Sequence, residues 1–203
     1  MGINFTISDT FENIVIRSLH AINSVNFIVD IFTIYLLWTK TPKSTGYYKY
    51  LIVALQGFSA LIDIHVGALF TPITLFPLIA AYCKGVLCLF RPHICVVIFI
   101  FLLLGSQCSL NLCIFYRHHA ILPDNHPLKF RKKIVRLFLY SIYVIAMENI
   151  AFLVLISEHD SGGRSEYLEQ HHPAMLWLTS KDHWVVYNPQ SNTRFVIYYV
   201  ITV

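Results

Sequence analysis

Apolar residues in this chain come in blocks, and polar or basic residues mark where the blocks stop. Leu19–Trp38, Tyr50–Phe70, Ile94–Tyr116 and Ile134–Ile156 each run close to the roughly 20 residues that a helix needs to cross a bilayer core of about 30 Å. Apolar residues lie all round these segments rather than on one face, which favours spanning the bilayer over lying on its surface. The pattern predicts four complete transmembrane helices, over approximately 19–38, 50–70, 92–116 and 134–156. A last apolar run over 195–203 predicts the start of a fifth; at 1.5 Å per residue it reaches only about 14 Å, less than half the core. The expected fold class is an all-α integral membrane protein, a helical bundle of four complete spans plus the start of a fifth, in a single partial domain over 1–203. A chain that stops inside a span is expected to be a fragment or a truncated product.

The segments between blocks sharpen this picture. "TKTPKSTGYYKY" combines Pro42 and Gly46 with lysines and predicts a short turn that returns the chain antiparallel. Pro72 and Pro77 each remove a backbone donor, so regular helix should end or kink near Phe70, with a compact apolar corner beyond it. "GSQCSLNLC" in the third span is rich in small and hydroxyl side chains that let helices approach closely. After Ile156 a long, polar and aromatic segment is expected to fold over the outer mouth of the bundle.

Composition agrees: 56% of the 203 residues are hydrophobic and 13% charged, against roughly a quarter charged in a soluble domain. The net charge of +4 matters less than its placement. Lys40, Lys43 and Lys49 lie between spans one and two, and Arg117, Lys129, Arg131, Lys132, Lys133 and Arg136 between or at the edges of spans three and four. Cytoplasmic loops retain Lys and Arg, so the amino terminus is expected outside the cell, in a multi-pass protein of the plasma membrane. The first eighteen residues carry Asp9, Glu12 and Arg17 and do not read as a cleavable signal; the first span would serve as the insertion signal. The sequon Asn4-Phe5-Thr6 falls on the outer side, making Asn4 a candidate glycosylation site. The basic loop "RHHAILPDNHPLKFRKK" reads as a topology determinant facing lipid headgroups, not as a nucleic-acid site.

Three residue classes could carry chemistry. The ten histidines show no HxxxH or HxxHH box and divide between the two sides, so no metal, cofactor or enzymatic site is expected. The five cysteines, Cys83, Cys88, Cys95, Cys108 and Cys113, lie in one segment without a CxxC pair; they signal neither a zinc site nor a disulfide framework and read as small apolar packers. Buried acids are the sharper signal. Asp63 and Glu148 stand at a similar depth in spans two and four, and Asp30 lies in span one on the face it shares with Asn23 and Asn26. A carboxylate in hydrocarbon costs several kcal/mol unless paired, hydrogen-bonded or protonated, so each should face protein or water. Asp30, Asp63, His65 and Glu148 are thus candidates for a ligand pocket or an ion-sensitive switch, or for a polar network that locks helices together. A small transporter or channel subunit could use the same acids as an ion path.

"IYLLWTKTPK", "YKYLIVALQGFSALIDIHVGALFTPITLFPLIAAYCKGVL" and "FYRHHAIL", in this order and spacing, resemble the serpentine seven-transmembrane chemoreceptors of nematodes, most closely class I (Sri), with class H (Srh) as a near relative. Asp63-Ile64-His65, then Pro72, Pro77, Ala80, Tyr82 and Gly85 match the family's pattern, with Ala81 in place of its usual glycine. The resemblance implies a chemosensory G-protein-coupled receptor: an unknown small-molecule chemical ligand binds outside, and a heterotrimeric G protein is engaged inside. It places Arg117, with His118 and His119, at the inner end of the third helix, facing the G protein. Tyr116 stands where rhodopsin-like receptors have an acid, so their ion-pair latch is not implied. Their outer disulfide is likewise not implied. A non-signalling relative that only associates with other receptors is the remaining alternative.

Overall fold

The computed structural model describes residues 7–42, 46–75, 80–123 and 161–186, with further positions between 126 and 145. Three long helices dominate it. Helix α1 spans Asp9–Lys40, α2 spans Tyr47–Ile64 and runs on as a π-helical turn over His65–Phe70, and α3 spans Pro92–Ile121. All three are long and apolar enough to cross a membrane. Predicted spans one to three therefore correspond to observed helices, each longer than its apolar block. The fourth span and the start of the fifth lie outside the described residues, apart from helical positions between 134 and 145.

Helix α1 has 32 residues, about 48 Å of rise, so it outruns a 30 Å core by more than two turns. Asp9 and Glu12 in its first turn and Lys40 in its last complement the helix dipole. Three polar side chains within the apolar stretch bond back to the helix's own carbonyls. Asn23 Nδ2 donates to the Leu19 carbonyl (2.8 Å), Ser24 to His20 (2.6 Å) and Thr33 to Val29 (2.8 Å).

Helix α2 breaks where the two prolines predict. The π-turn closes with the Thr71 amide donating to the Val66 carbonyl (3.1 Å), and Thr71 itself takes a left-handed conformation (φ 41°). Such a conformation is uncommon for a β-branched residue and costs roughly 1–2 kcal/mol. The returning strand holds it in place: the Lys84 amide donates to the Thr71 carbonyl (3.3 Å) and the Gly85 amide to the Phe70 carbonyl (3.2 Å). A Cβ on Gly85 would stand 2.1 Å from the Leu69 carbonyl oxygen, so only glycine permits this backbone approach.

Beyond the break the chain adds an element absent from the sequence reading, a three-stranded antiparallel sheet. Strand β1 (Pro72–Leu75) pairs with β2 (Ala80–Cys83), with Pro72 opposite Cys83 and Leu75 opposite Ala80. Strand β3 (Trp184–Val186) joins the other edge of β2. Alternate residues Ile73 and Leu75 point inward and Thr74 outward. The polar segment over 161–186 supplies the cover: α4 (Ser161–His171) and a 3₁₀ helix over Pro173–Ser180 contribute Leu168 and Leu178, which complete a core with Tyr82 and Val186.

The chain divides into two compact units. The first comprises 1–24, 64–99 and 152–203; the second comprises 25–63 and 100–151. In the first, Gly67 admits Asn23, whose Cβ would lie 2.7 Å from an added methyl. In the second, the Phe58 ring fills the space over Gly105, within 2.4 Å of where a Cβ would be. That contact realises the close approach expected from the small residues of the third span.

One sequence expectation is corrected in the first unit. Cys83 and Cys88 form a disulfide, with Cα atoms 6.0 Å apart. Read as regular helix, residues five apart would face different directions. Here Lys84-Gly85 turn the chain into a 3₁₀ helix over Val86–Leu89, which brings the two thiols together at a normal bridging distance. Cys95, Cys108 and Cys113 are free thiols, with Cys95 and Cys113 buried as small apolar packers.

Candidate functional site

In the second unit, α1 and α2 bring two of the predicted acids together. Asp30 is buried and accepts a hydrogen bond from Gln56 Nε2 on its Oδ1. Asp63, two turns further along α2, lies within hydrogen-bonding reach of both Asp30 and Asn26. Two carboxyls this close repel when both are charged, so amide donors from Gln56 and Asn26 are what make the arrangement tolerable. They do not finish the task. Asp30 Oδ2 is buried and meets no donor among the described residues, a deficit of about 1–3 kcal/mol.

His65, grouped with these acids in the sequence reading, has different partners and belongs to the first unit. Its ring is buried between Phe70 and Phe99, with centroids 5.6 and 6.5 Å away, and Nε2 meets the Cys95 carbonyl at 2.9 Å. Glu148 and Asn4 lie outside the described residues.

At the other end of α3, in the second unit, Arg117 finds an aromatic partner. Its guanidinium lies 5.4 Å from the centre of the Tyr48 ring, and Tyr48 stacks on Tyr116 at 5.6 Å. Tyr47 adds a hydroxyl contact of 2.5 Å to Tyr140. On the same turn of α2, Lys49 donates to the Trp38 carbonyl (2.7 Å) and covers the Trp38 ring at 5.2 Å. The short link therefore plants three consecutive residues, Tyr47, Tyr48 and Lys49, against α1, α3 and a later helical position. His119 packs on Phe115 (6.4 Å), and His118 is exposed. Among the described residues no group of three or more His, Cys, Asp or Glu could hold a metal.

A further polar group escaped the sequence reading. In the first unit Glu12 is buried and receives Lys84 Nζ (2.5 Å), Lys181 Nζ (3.0 Å) and the Tyr82 hydroxyl (3.0 Å). It lies about 10 Å along α1 before the apolar block begins at Leu19, outside the spanning segment. Burial alone would raise its carboxyl, but hydrogen bonds from Lys84, Lys181 and Tyr82 outweigh burial and hold it down at about 2. The Tyr82 phenol is pushed up from its ordinary range by burial and by the Glu12 charge. The signal was weak but present: Glu12, Lys84 and Lys181 all fall on the predicted outer side, and Tyr82 belongs to the matched motif.

Comparison with known families matches residues 3–203 to the family described as serpentine type 7TM GPCR chemoreceptor Sri. No curated protein and no solved structure matches the chain.

Proposed function

Given that the chain belongs to the Sri family of serpentine seven-transmembrane chemoreceptors, we propose that it detects an external small molecule at the plasma membrane and passes the signal to a heterotrimeric G protein. The amino terminus would face outward, as the basic links between helices favour. The Asp30–Gln56–Asp63 group carries the reading. A half-satisfied carboxyl pair inside apolar helices has a standing free-energy deficit, and anything that changes its hydrogen bonding shifts the balance between helix arrangements. Arg117, His118 and His119 would lie on the coupling face, with Tyr48 holding Arg117 in the resting arrangement.

The test is expression of the chain with a G-protein nucleotide-exchange readout across a panel of small chemical stimuli, with surface level measured separately. Arg117→Ala is expected to abolish stimulated exchange at unchanged surface level. Unaltered exchange would remove Arg117 from the coupling face. Stimulus-independent ion flux in reconstituted vesicles, without G-protein dependence, would replace the receptor reading with a transporter or channel.

A further inference from the structure

The 3₁₀ helix over Val86–Leu89, with Phe90 and Arg91 after it, has two sharply different sides. Cys88 is 1% exposed and tied inward by its bridge to Cys83, in a cluster with Phe70 and Cys95 that Leu87 flanks. Val86, Leu89 and Phe90 are 65%, 69% and 79% exposed. Residues three apart in a 3₁₀ helix eclipse one another, so Val86 and Leu89 form one row, and Phe90 adjoins it. The turn cannot roll to hide this row. The disulfide fixes its inner side, and Gly85 is pressed against the Leu69 carbonyl at its start.

We propose that Val86–Arg91 is a membrane anchor, seated at the boundary between headgroups and acyl chains of the bilayer leaflet at this end of α3. Three observations select lipid as the occupant. First, the row leads directly into a helix that spans: Phe90 lies two residues before α3 begins at Pro92, and Ile94 and Ile98, one turn apart on α3, are themselves exposed. Second, the depth fits. Pro92 stands about 38 Å along α3 from Arg117, beyond a 30 Å core but within the 40–45 Å that includes both headgroup layers. Third, Arg91 follows the apolar row directly and is exposed, a cation at the height of lipid phosphates with an apolar body below it. The inference rests on α3 crossing the bilayer, which its family membership and apolar length support.

Phe90→Trp and, separately, Ile98→Trp in the full chain, reconstituted in phosphatidylcholine vesicles, test it. Each is read as the emission added over the parent protein. Lipids brominated near the headgroup end of the acyl chain are expected to quench most of the Phe90→Trp signal, and lipids brominated near the chain terminus little of it. Aqueous acrylamide is expected to leave it nearly intact. The Ile98→Trp signal should be quenched by bromine placed deeper. Acrylamide quenching at position 90 with bromine quenching kept at 98 would overturn the anchor alone and leave the span. Protection of position 90 from both quenchers would overturn lipid in favour of a protein cover, either a second copy or another chain. Loss of bromine quenching at 98 would overturn the span itself. Val86→Trp repeats the measurement on the same row if Phe90→Trp does not fold.

Discussion

Glu12 and Asp30 sit on the same helix, both buried, and the protein treats them in opposite ways. Glu12 is given two ammonium groups and a phenol, so every cost of burial is answered. Asp30 is given one amide and a second carboxyl, and one of its oxygens meets no donor among the described residues. The first is how a chain builds a lock. It joins α1 to strand β2 and to a lysine 169 positions away in sequence. The second is how a chain keeps an element undecided, because a group that is not satisfied in one arrangement has something to gain in another. Stability should therefore reside at Glu12 and response at Asp30 and Asp63.

Breaking the lock has the largest expected effect. Glu12→Gln leaves Lys84 without its anion and Lys181 with only the exposed Asp9 at 3.9 Å, and should destabilise the first unit by about 3 kcal/mol, discounted from a fully buried pair because Lys84 is half exposed. Thermal unfolding in detergent reads this. Acid sharpens the same point. A carboxyl held down at about 2 contributes stability that is complete above its ordinary value near 4.5 and is lost as pH falls from there toward 2. The Glu12→Gln protein should lose this part of its acid sensitivity and show a shallower fall in stability over that window.

Next comes the bridge. Cys83→Ser closes no loop, and a six-residue ring constrains the unfolded chain by about 2 kcal/mol. The expected outcome is a lower unfolding temperature for the first unit. A response to reductant in the parent and none in the variant checks the assignment.

Asp63→Asn inverts the pattern. Removing one charge from the pair should change stability by no more than about 1 kcal/mol, in either direction, while stimulated G-protein exchange falls at least tenfold at matched surface level. Normal signalling in this variant would make the acid pair a second lock and end the contrast with Glu12.

The smallest effect is expected at Tyr48. An exposed cation–π contact contributes about 0.5–1 kcal/mol, so Tyr48→Leu should raise unstimulated exchange by up to about fivefold by freeing Arg117. Tyr48→Phe keeps the ring face and should behave like the parent. Equal effects of the two variants would assign the role to the hydroxyl.

How much of this was legible beforehand depends on how local each cause is. Three spans and the break at Phe70 are written in runs of apolar residues and in Pro72, which act on their own neighbours. The family, too, could be read from motifs within short stretches. The sheet could not: β1 and β2 are four mostly apolar residues each, indistinguishable from a buried corner, and β3 lies a hundred positions on. The disulfide follows the same logic: spacing within an apolar corner does not fix where side chains point, and only the turn at Lys84-Gly85 into the 3₁₀ helix brings the two thiols together. Among the site residues, Asp30 and Asp63 were recognised individually from the cost of burying charge. Their meeting was not, because similar depth paired Asp63 with Glu148 instead. His65 was placed with the acids by sequence proximity, whereas the π-turn that begins at it directs its ring to Phe70, Phe99 and the Cys95 carbonyl.

The Cys83–Cys88 bridge has a use beyond holding a turn. Disulfides persist in oxidising compartments and are rare where glutathione and thioredoxin keep thiols reduced. A chain threaded through the bilayer the wrong way round would hold the same two positions as thiols, which a maleimide reaches once the protein is denatured. With Cys95, Cys108 and Cys113 replaced, one gel shift after denaturation without reductant would then count how many molecules were inserted each way, with the protein carrying its own compass.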